Sequence, residues 1–177
     1  TWERYAPESR DIVVEIDPGM AFGTGQHAST RMCMEAIEDI ILKDRSITDW
    51  KVLDVGCGTG ILGITAARMG AQDVVCVDND PKATEIAAEN AVINSVADRL
   101  RIVNEDALRV KEPRNLIIAI LTAKLLLKMR THLVRLLMPG GYMIISGIIE
   151  PDIPAMEEHF IVAPLELQDK RTEKEWV

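Results

Sequence analysis

The sequence predicts an α/β protein built on an open, mostly parallel sheet with helices on both faces. Three observations predict it. Short apolar runs alternate with helix-competent stretches from residue 51 to residue 146, the pattern of repeated βα units. Val52-Leu53-Asp54-Val55 runs straight into Gly56-Cys57-Gly58-Thr59-Gly60, a strand delivered into a glycine turn ahead of a helix. Gly56, Asp78 and Asp106 each fall where a predicted strand ends, on the carboxyl rim that holds ligands in such sheets.

Taken in order, residues 12–16 alternate as a short strand, ended by Asp17-Pro18-Gly19. Residues 17–27 form a long glycine-rich loop. Phe22 at its centre suits a lid over a ligand, because an exposed linker rarely carries Phe. Apolar residues at Met32, Ala36, Ile37 and Ile40 predict a helix over 28–43, with Ser29 and Thr30 in its first turn. Strand 51–55, helix 61–69 and strand 73–77 follow. Asp80-Pro81 is a cap followed by proline at the first helical position, opening helix 81–93. Strand 100–104 precedes the continuous apolar run 116–121, a strand buried on both faces. Helix 122–137 is stopped by Met138-Pro139-Gly140-Gly141, before strand 142–146 and a short helix near 153–159. Segments 160–167 and 171–177 alternate as an antiparallel edge pair. From residue 51 onward this makes seven strands in one domain: an N-terminal strand and lid loop over 1–27, then a core over 28–177.

Composition narrows the function. The chain has 177 residues, enough for a sizeable core, with 47% hydrophobic and 27% charged residues. No apolar run reaches membrane-spanning length. The chain opens on Thr1 without methionine or a signal-like stretch, and is expected to be part of a longer cytoplasmic protein. A net charge of −8 argues against general nucleic-acid binding and suits a basic protein partner. Cys33, Cys57 and Cys76 lack pairing or metal spacing and read as small core residues in a reducing compartment. His132 and His159 read as surface residues, and no metal site is predicted.

The chemistry gathers at the glycine turn. Glycines at 56, 58 and 60 let a ligand lie against main chain, and the following helix aims unpaired N–H groups at it. Asp78, some twenty residues on, is placed to accept hydrogen bonds from ribose hydroxyls. Asp106 can take one from an adenine amino group, or be a solvated loop acid. Two adenosine cofactors compete. Gly58-x-Gly60-x-x-Gly63 formally satisfies a dinucleotide fingerprint, but two residues too late for the strand end. Asp54 weighs against pyrophosphate, which it would repel, and favours a ligand carrying positive charge. S-adenosylmethionine, with its sulfonium and ammonium and no phosphate, is preferred to NAD. The sequence has no P-loop and no Gly-x-Ser-x-Gly elbow.

Asp17-Pro18-Gly19-Met20-Ala21-Phe22-Gly23-Thr24-Gly25-Gln26-His27, followed by the helix of Thr30 and by residues 52–60, resembles the bacterial ribosomal protein L11 methyltransferases. Trp2, Tyr5, Pro7, Asp78-Asn79-Asp80-Pro81 and Pro139-Gly140-Gly141 look like that family too, and the similarity covers nearly the whole chain. The resemblance implies a Rossmann-like class I methyltransferase fold and S-adenosylmethionine as cofactor. It places Thr30, Asp54, Gly56, Cys57, Gly58, Gly60, Asp78, Asn79, Asp106 and Ala107 around the cofactor, and Phe22, Thr24 and His27 in the lid and acceptor pocket. Two departures stand out. The family's N-terminal substrate domain is absent from these residues. The family's fourth strand ends Ala-Asn-Ile-Leu, whereas this one reads Ala119-Ile120-Leu121, and Asn115 opens it where an acid is usual.

The implied activity is N-methylation of lysine or α-amino groups of a protein, a ribosomal protein first among candidates. A small-molecule methyltransferase and a cofactor-binding module with little activity are the alternatives.

Overall fold

The structure is a computed structural model describing residues 11–19, 23–44 and 46–177. Helix α1 (Ala28–Lys43) leads into strand β1 (Lys51–Val55), helix α2 (Ile61–Arg68), β2 (Asp73–Asp78), α3 (Pro81–Ile93) and β3 (Leu100–Asn104). Then come β4 (Arg114–Ile120), α4 (Ala123–Leu136), β5 (Leu137–Ser146) and α5 (Ile153–Phe160). All strand pairs are parallel, in the order β3-β2-β1-β4-β5.

Strict alternation of side chains explains why the inner strands read as unbroken apolar runs. Val52, Val74, Cys76, Leu116 and Ile118 point to one face, where they meet Cys33, Ile37 and Ile41 of α1 and Ile64 and Ala67 of α2. Leu53, Val75, Val77, Ile117 and Ala119 point to the other, against Leu126, Met129 and Leu133 of α4 and Met156 and Phe160 of α5. Ile37, Leu53, Ile64, Leu116, Ile117, Leu126 and Leu133 are fully buried, each worth about 1.5–3 kcal/mol relative to exposure. All three cysteines lie unpaired in the core.

Helix α2 packs unusually close to the sheet. A Cβ on Gly63 would stand 2.3 Å from the Cys76 Sγ and 3.3 Å from Val74 Cγ1. Helix α3 begins as its sequence predicts: Asp80 Oδ1 accepts from Lys82 N at 2.9 Å, with Pro81 at the first position.

Four expectations are corrected. Residues 12–16 form no ladder; Glu15 and Asp17 bond instead to side-chain amides of Asn94, the cap of α3, and Asn90 within it. Asn94 accepts from Glu15 N at 2.9 Å and donates to Glu15 O at 2.6 Å. Asn90 does the same for Asp17, at 2.8 and 3.0 Å. The Pro139-Gly140-Gly141 stop does not separate α4 from the next strand, because β5 starts at Leu137 and bulges through it: Leu137 pairs with Arg114, yet Tyr142 pairs with Leu116.

The described residues contain five strands rather than seven, and the antiparallel edge pair is not among them. Phe160 instead ends α5, and Pro164 can give no N–H to a ladder. Lys170 and Arg171 pair with Glu157 at 2.7 Å and Asp39 at 2.6 Å, tying the segment down by side chains. Residues 171–177 make isolated antiparallel bridges, Ile149 with Trp176 and Glu173 with Trp176, and neither bridge reaches 160–167. Finally, His132 is half-buried rather than on the surface, and its Nε2 lies 3.1 Å from Ala107 O, joining α4 to the turn after β3.

No described helix is long and apolar enough to cross a membrane, and no described group of His, Cys, Asp and Glu could hold a metal ion.

Candidate functional site

The glycine turn between β1 and α2 crosses the carboxyl rim. Gly56, Gly58 and Gly60 have φ of 69°, 54° and 79°, all left-handed. Gly60, the α2 cap, also abuts α3, where a Cβ would stand 3.1 Å from that of Ala87. A side chain here meets both a backbone penalty and a clash. Asp78, at the end of β2, holds the turn: its Oδ2 accepts from Gly58 N at 3.0 Å and its Oδ1 from Asp80 N at 3.0 Å. The carboxylate remains half-exposed, with lone pairs free for further donors.

Asp54 behaves differently. It is 1% exposed, and its Oδ2 accepts from Gly63 N at 2.9 Å. Burial pushes its pKa up to about 7; the Gly63 N–H opposes the shift and the nearby Asp78 charge adds to it. Asp54 lines a cleft with Gly23, Thr30, Gly56, Cys57 and Ile120. Thr30, 1% exposed in the first turn of α1, carries a buried Oγ1 with no hydrogen-bond partner. A buried carboxylate and a buried, unsatisfied hydroxyl facing one cleft suit a cationic donor such as an ammonium. The enclosed part holds only about 20 Å³, one water's worth, so a nucleoside has to lie along the open rim. A groove of about 850 Å³ runs along the outer edge of β5; it contains none of the glycine-turn residues.

The loop before α1 rests on this turn. Thr59 Oγ1 donates to Gly23 O at 2.7 Å. Thr24 is exposed, its hydroxyl 3.4 Å from Gln26 N within its own loop. His27 caps α1, its Nδ1 2.7 Å from Ser29 Oγ and 3.3 Å from Ser29 N. Its ring meets Trp176 edge to face, centroids 4.7 Å apart. Phe22 lies outside the described residues, as do Met20 and Ala21.

Further along the rim, Asn79 and Asp106 are exposed. Asp106 caps a single 3-10 turn by accepting from Leu108 N at 2.9 Å, and Ala107 is half-buried. Glu105 N bonds to Asp78 O at 3.1 Å, so the ends of β2 and β3 are laced together. At the end of β4 the rim is apolar: Ile120 lines the cleft, and Leu121 Cδ2 stands 2.9 Å from where a Gly56 Cβ would be. Asn115, the other departure, is buried and structural. It accepts from Lys51 N at 2.7 Å and donates to Asp49 O at 3.0 Å, pinning the start of β1.

Sequence reasoning missed two contributors. Asn90 donates to both Asp17 O and Thr59 O at 3.0 Å, joining α3, the N-terminal strap and the glycine turn. Its four-residue spacing from Asn94, one face of a helix, was the available signal. Trp176 had no local signal at all.

A parallel sheet ordered 3-2-1-4-5, with a glycine turn after its first strand and an acid ending its second, defines the Rossmann-like α/β fold of methyltransferases. The sequence model described as "Ribosomal protein L11 methyltransferase (PrmA)" matches residues 1–177, and the chain belongs to that family. A protein of that name from Heliobacterium modesticaldum is 42% identical over 151 residues, 85% of this chain and 46% of that one. Another, from Geobacillus kaustophilus, is 38% identical and aligns with 100% of this chain and 56% of its own. The chain thus spans about half the length of the curated relatives it matches. The crystal structure of ribosomal protein L11 methylase from Lactobacillus delbrueckii subsp. bulgaricus superposes with a TM-score of 0.86 at 31% identity, covering 99% of this chain and 88% of that one. A tRNA m1G37 methyltransferase from M. jannaschii, at TM-score 0.62 and 19% identity over 73% of this chain and 37% of that one, shares the fold alone.

Proposed function

We propose that this chain binds S-adenosylmethionine along the β1–α2 turn and is the methyl-transferring part of an enzyme that methylates amino groups of a protein, a ribosomal protein first among candidates. The observation that carries the reading is the pairing of Asp54 with the unsatisfied Thr30 hydroxyl in one buried cleft. It suits the ammonium end of an amino-acid-bearing cofactor and opposes a pyrophosphate.

In this reading Gly56, Cys57, Gly58 and Gly60 offer main chain to the ligand, and Asp78 with Asn79 takes the ribose hydroxyls. Asp106 and Ala107 border the adenine, and Thr24 and His27 stand on the acceptor side. When bound, the cofactor supplies an electrophilic methyl group on a sulfonium. What remains for the protein is to position a neutral amine in line and exclude water. Deprotonating a lysine of pKa near 10.4 at pH 7 costs about 4–5 kcal/mol, an α-amine near 7.8 only about 1. A dry pocket lowers either cost by disfavouring the ammonium. The charge of −8 favours a basic protein substrate over nucleic acid, and the reading places the reaction in the cytoplasm, away from membranes. The chain acts as one unit.

A second reading, a cofactor-binding module with little transfer, is favoured by the apolar end of β4, where Ile120 and Leu121 offer no polar side chain. Calorimetry with S-adenosylhomocysteine and with NAD, followed by radiomethyl transfer to α-amino peptides and to ribosomal protein, separates the readings. Tighter binding of NAD sinks both. Tight S-adenosylhomocysteine binding with no transfer to any amine leaves the second.

A further inference from the structure

The last residues of the chain form a hook tied to the carboxyl end of β5. Glu173 and Trp176 exchange backbone bonds of 3.0 and 3.1 Å across a tight turn. Trp176 bridges Ile149, Val177 N donates to Ile148 O at 2.9 Å, and Ser146 Oγ donates to Val177 O at 2.8 Å. From this anchor two side chains reach one short stretch at the entry to α1. The Trp176 indole meets the His27 imidazole at 4.7 Å and 63°. Glu173 pairs with Arg31, whose Nη1 also donates to Gln26 O at 2.6 Å.

The simplest account is a segment packing where it finds room. Both contacts are directional, however, and both converge on residues 26–31, which include Thr30 of the cofactor cleft. The backbone just before His27 turns at Gly23 and Gly25, both with left-handed φ, 108° and 81°, and is fixed to the glycine turn at Gly23.

We propose that the hook is a positioning device: Trp176 sets the orientation of the His27 imidazole, and Glu173, through Arg31, holds the entry to α1 against the rim. The functional side of this inference rests on placing His27 at the acceptor pocket. In this proposal Trp176 acts through His27 and Glu173 through Arg31.

The test uses the full chain and its variants Trp176→Ala, Trp176→Phe and Glu173→Gln, each first checked for cooperative melting. The ring C–H signals of the three histidines are assigned by single His→Gln changes. Trp176→Ala is expected to shift the His27 signals and leave His132 and His159 in place. Methyl transfer to an α-amino peptide should fall by about ten- to a hundredfold, the upper figure being the loss for a misplacement of about 1 Å, while S-adenosylhomocysteine affinity changes less than about twofold. Trp176→Phe, which keeps an aromatic edge, should recover most of the rate, and Glu173→Gln should fall between. Unmoved His27 signals in a folded Trp176→Ala protein overturn the proposal, as do moved signals with undiminished transfer. A parent chain that transfers to no amine sinks the methyl-transfer reading instead, and the ring signals alone then decide what the hook does.

Discussion

The two halves of the carboxyl rim are built on different principles. The half made by β1, α2, β2 and α3 is short-range. Its turn is held by Asp78 onto Gly58, its cleft by Asp54 onto Gly63, and every residue from Cys57 to Ala67 is buried. The half made by the end of β4, β5, the loop into α1 and the C-terminal hook is long-range. β5 is mostly half-exposed beside an open groove, and its neighbours reach the rim through contacts such as Trp176 on His27. A cofactor of fixed shape can be met by a rigid, locally folded cradle. In the proposed function the acceptor side is the half assembled from distant segments, which is easier to alter without unfolding the sheet.

The contrast breaks first at Gly63. Gly63→Ala is expected to destabilise the fold by about 1–3 kcal/mol, because its Cβ would stand 2.3 Å from the Cys76 Sγ. Adding Cys76→Ala should recover part of this in denaturant unfolding. A Gly63→Ala protein as stable as its parent would show that α2 is not locked to β2.

Asp54→Asn comes next, with an expected loss of about 1.5–3 kcal/mol in S-adenosylhomocysteine binding above neutral pH. Its pKa is raised from 3.8 to about 7 by burial, so the folded state binds a proton that the unfolded state has released. Asp54's contribution to stability is therefore complete below pH 3.8 and is lost as pH rises through about 7, with a slope of at most about 1.4 kcal/mol per pH unit. Ligand affinity should move the opposite way, rising over the upper part of that window as the carboxylate ionises. Asp54→Asn should flatten both profiles; a parent whose stability and affinity share one pH slope would remove Asp54 from the site.

Asn90→Ala leaves Asp17 N without its partner and takes the donor from Thr59 O, at an expected cost of about 1–2 kcal/mol. Hydrogen exchange at Asp17 should accelerate while α2 stays protected; acceleration in both would mean that the strap and the cradle unfold together. The smallest effect belongs to the long-range half. Glu157→Gln removes the exposed Lys170–Glu157 pair, both side chains more than a third accessible, and should change stability by less than about 1 kcal/mol.

The sequence by itself determined the inner strands, the glycine turn, the Asp80-Pro81 helix start and the placing of Gly56, Asp78 and Asp106 on one rim. These follow from side-chain period, turn chemistry and capping, each expressed within a few residues. Only the tertiary structure decided that residues 12–16 pair with amides of α3 rather than with a strand, and that β5 absorbs Pro139-Gly140-Gly141 as a bulge. It alone closed the C-terminal segment as a hook on His27 and buried Thr30 Oγ1 beside Asp54. Asn90 and Asp17 are 73 positions apart, and no local pattern says which distant backbone a buried amide will find. That choice is made when the sheet and its helices close, because every buried donor and acceptor then needs a partner and takes one within reach.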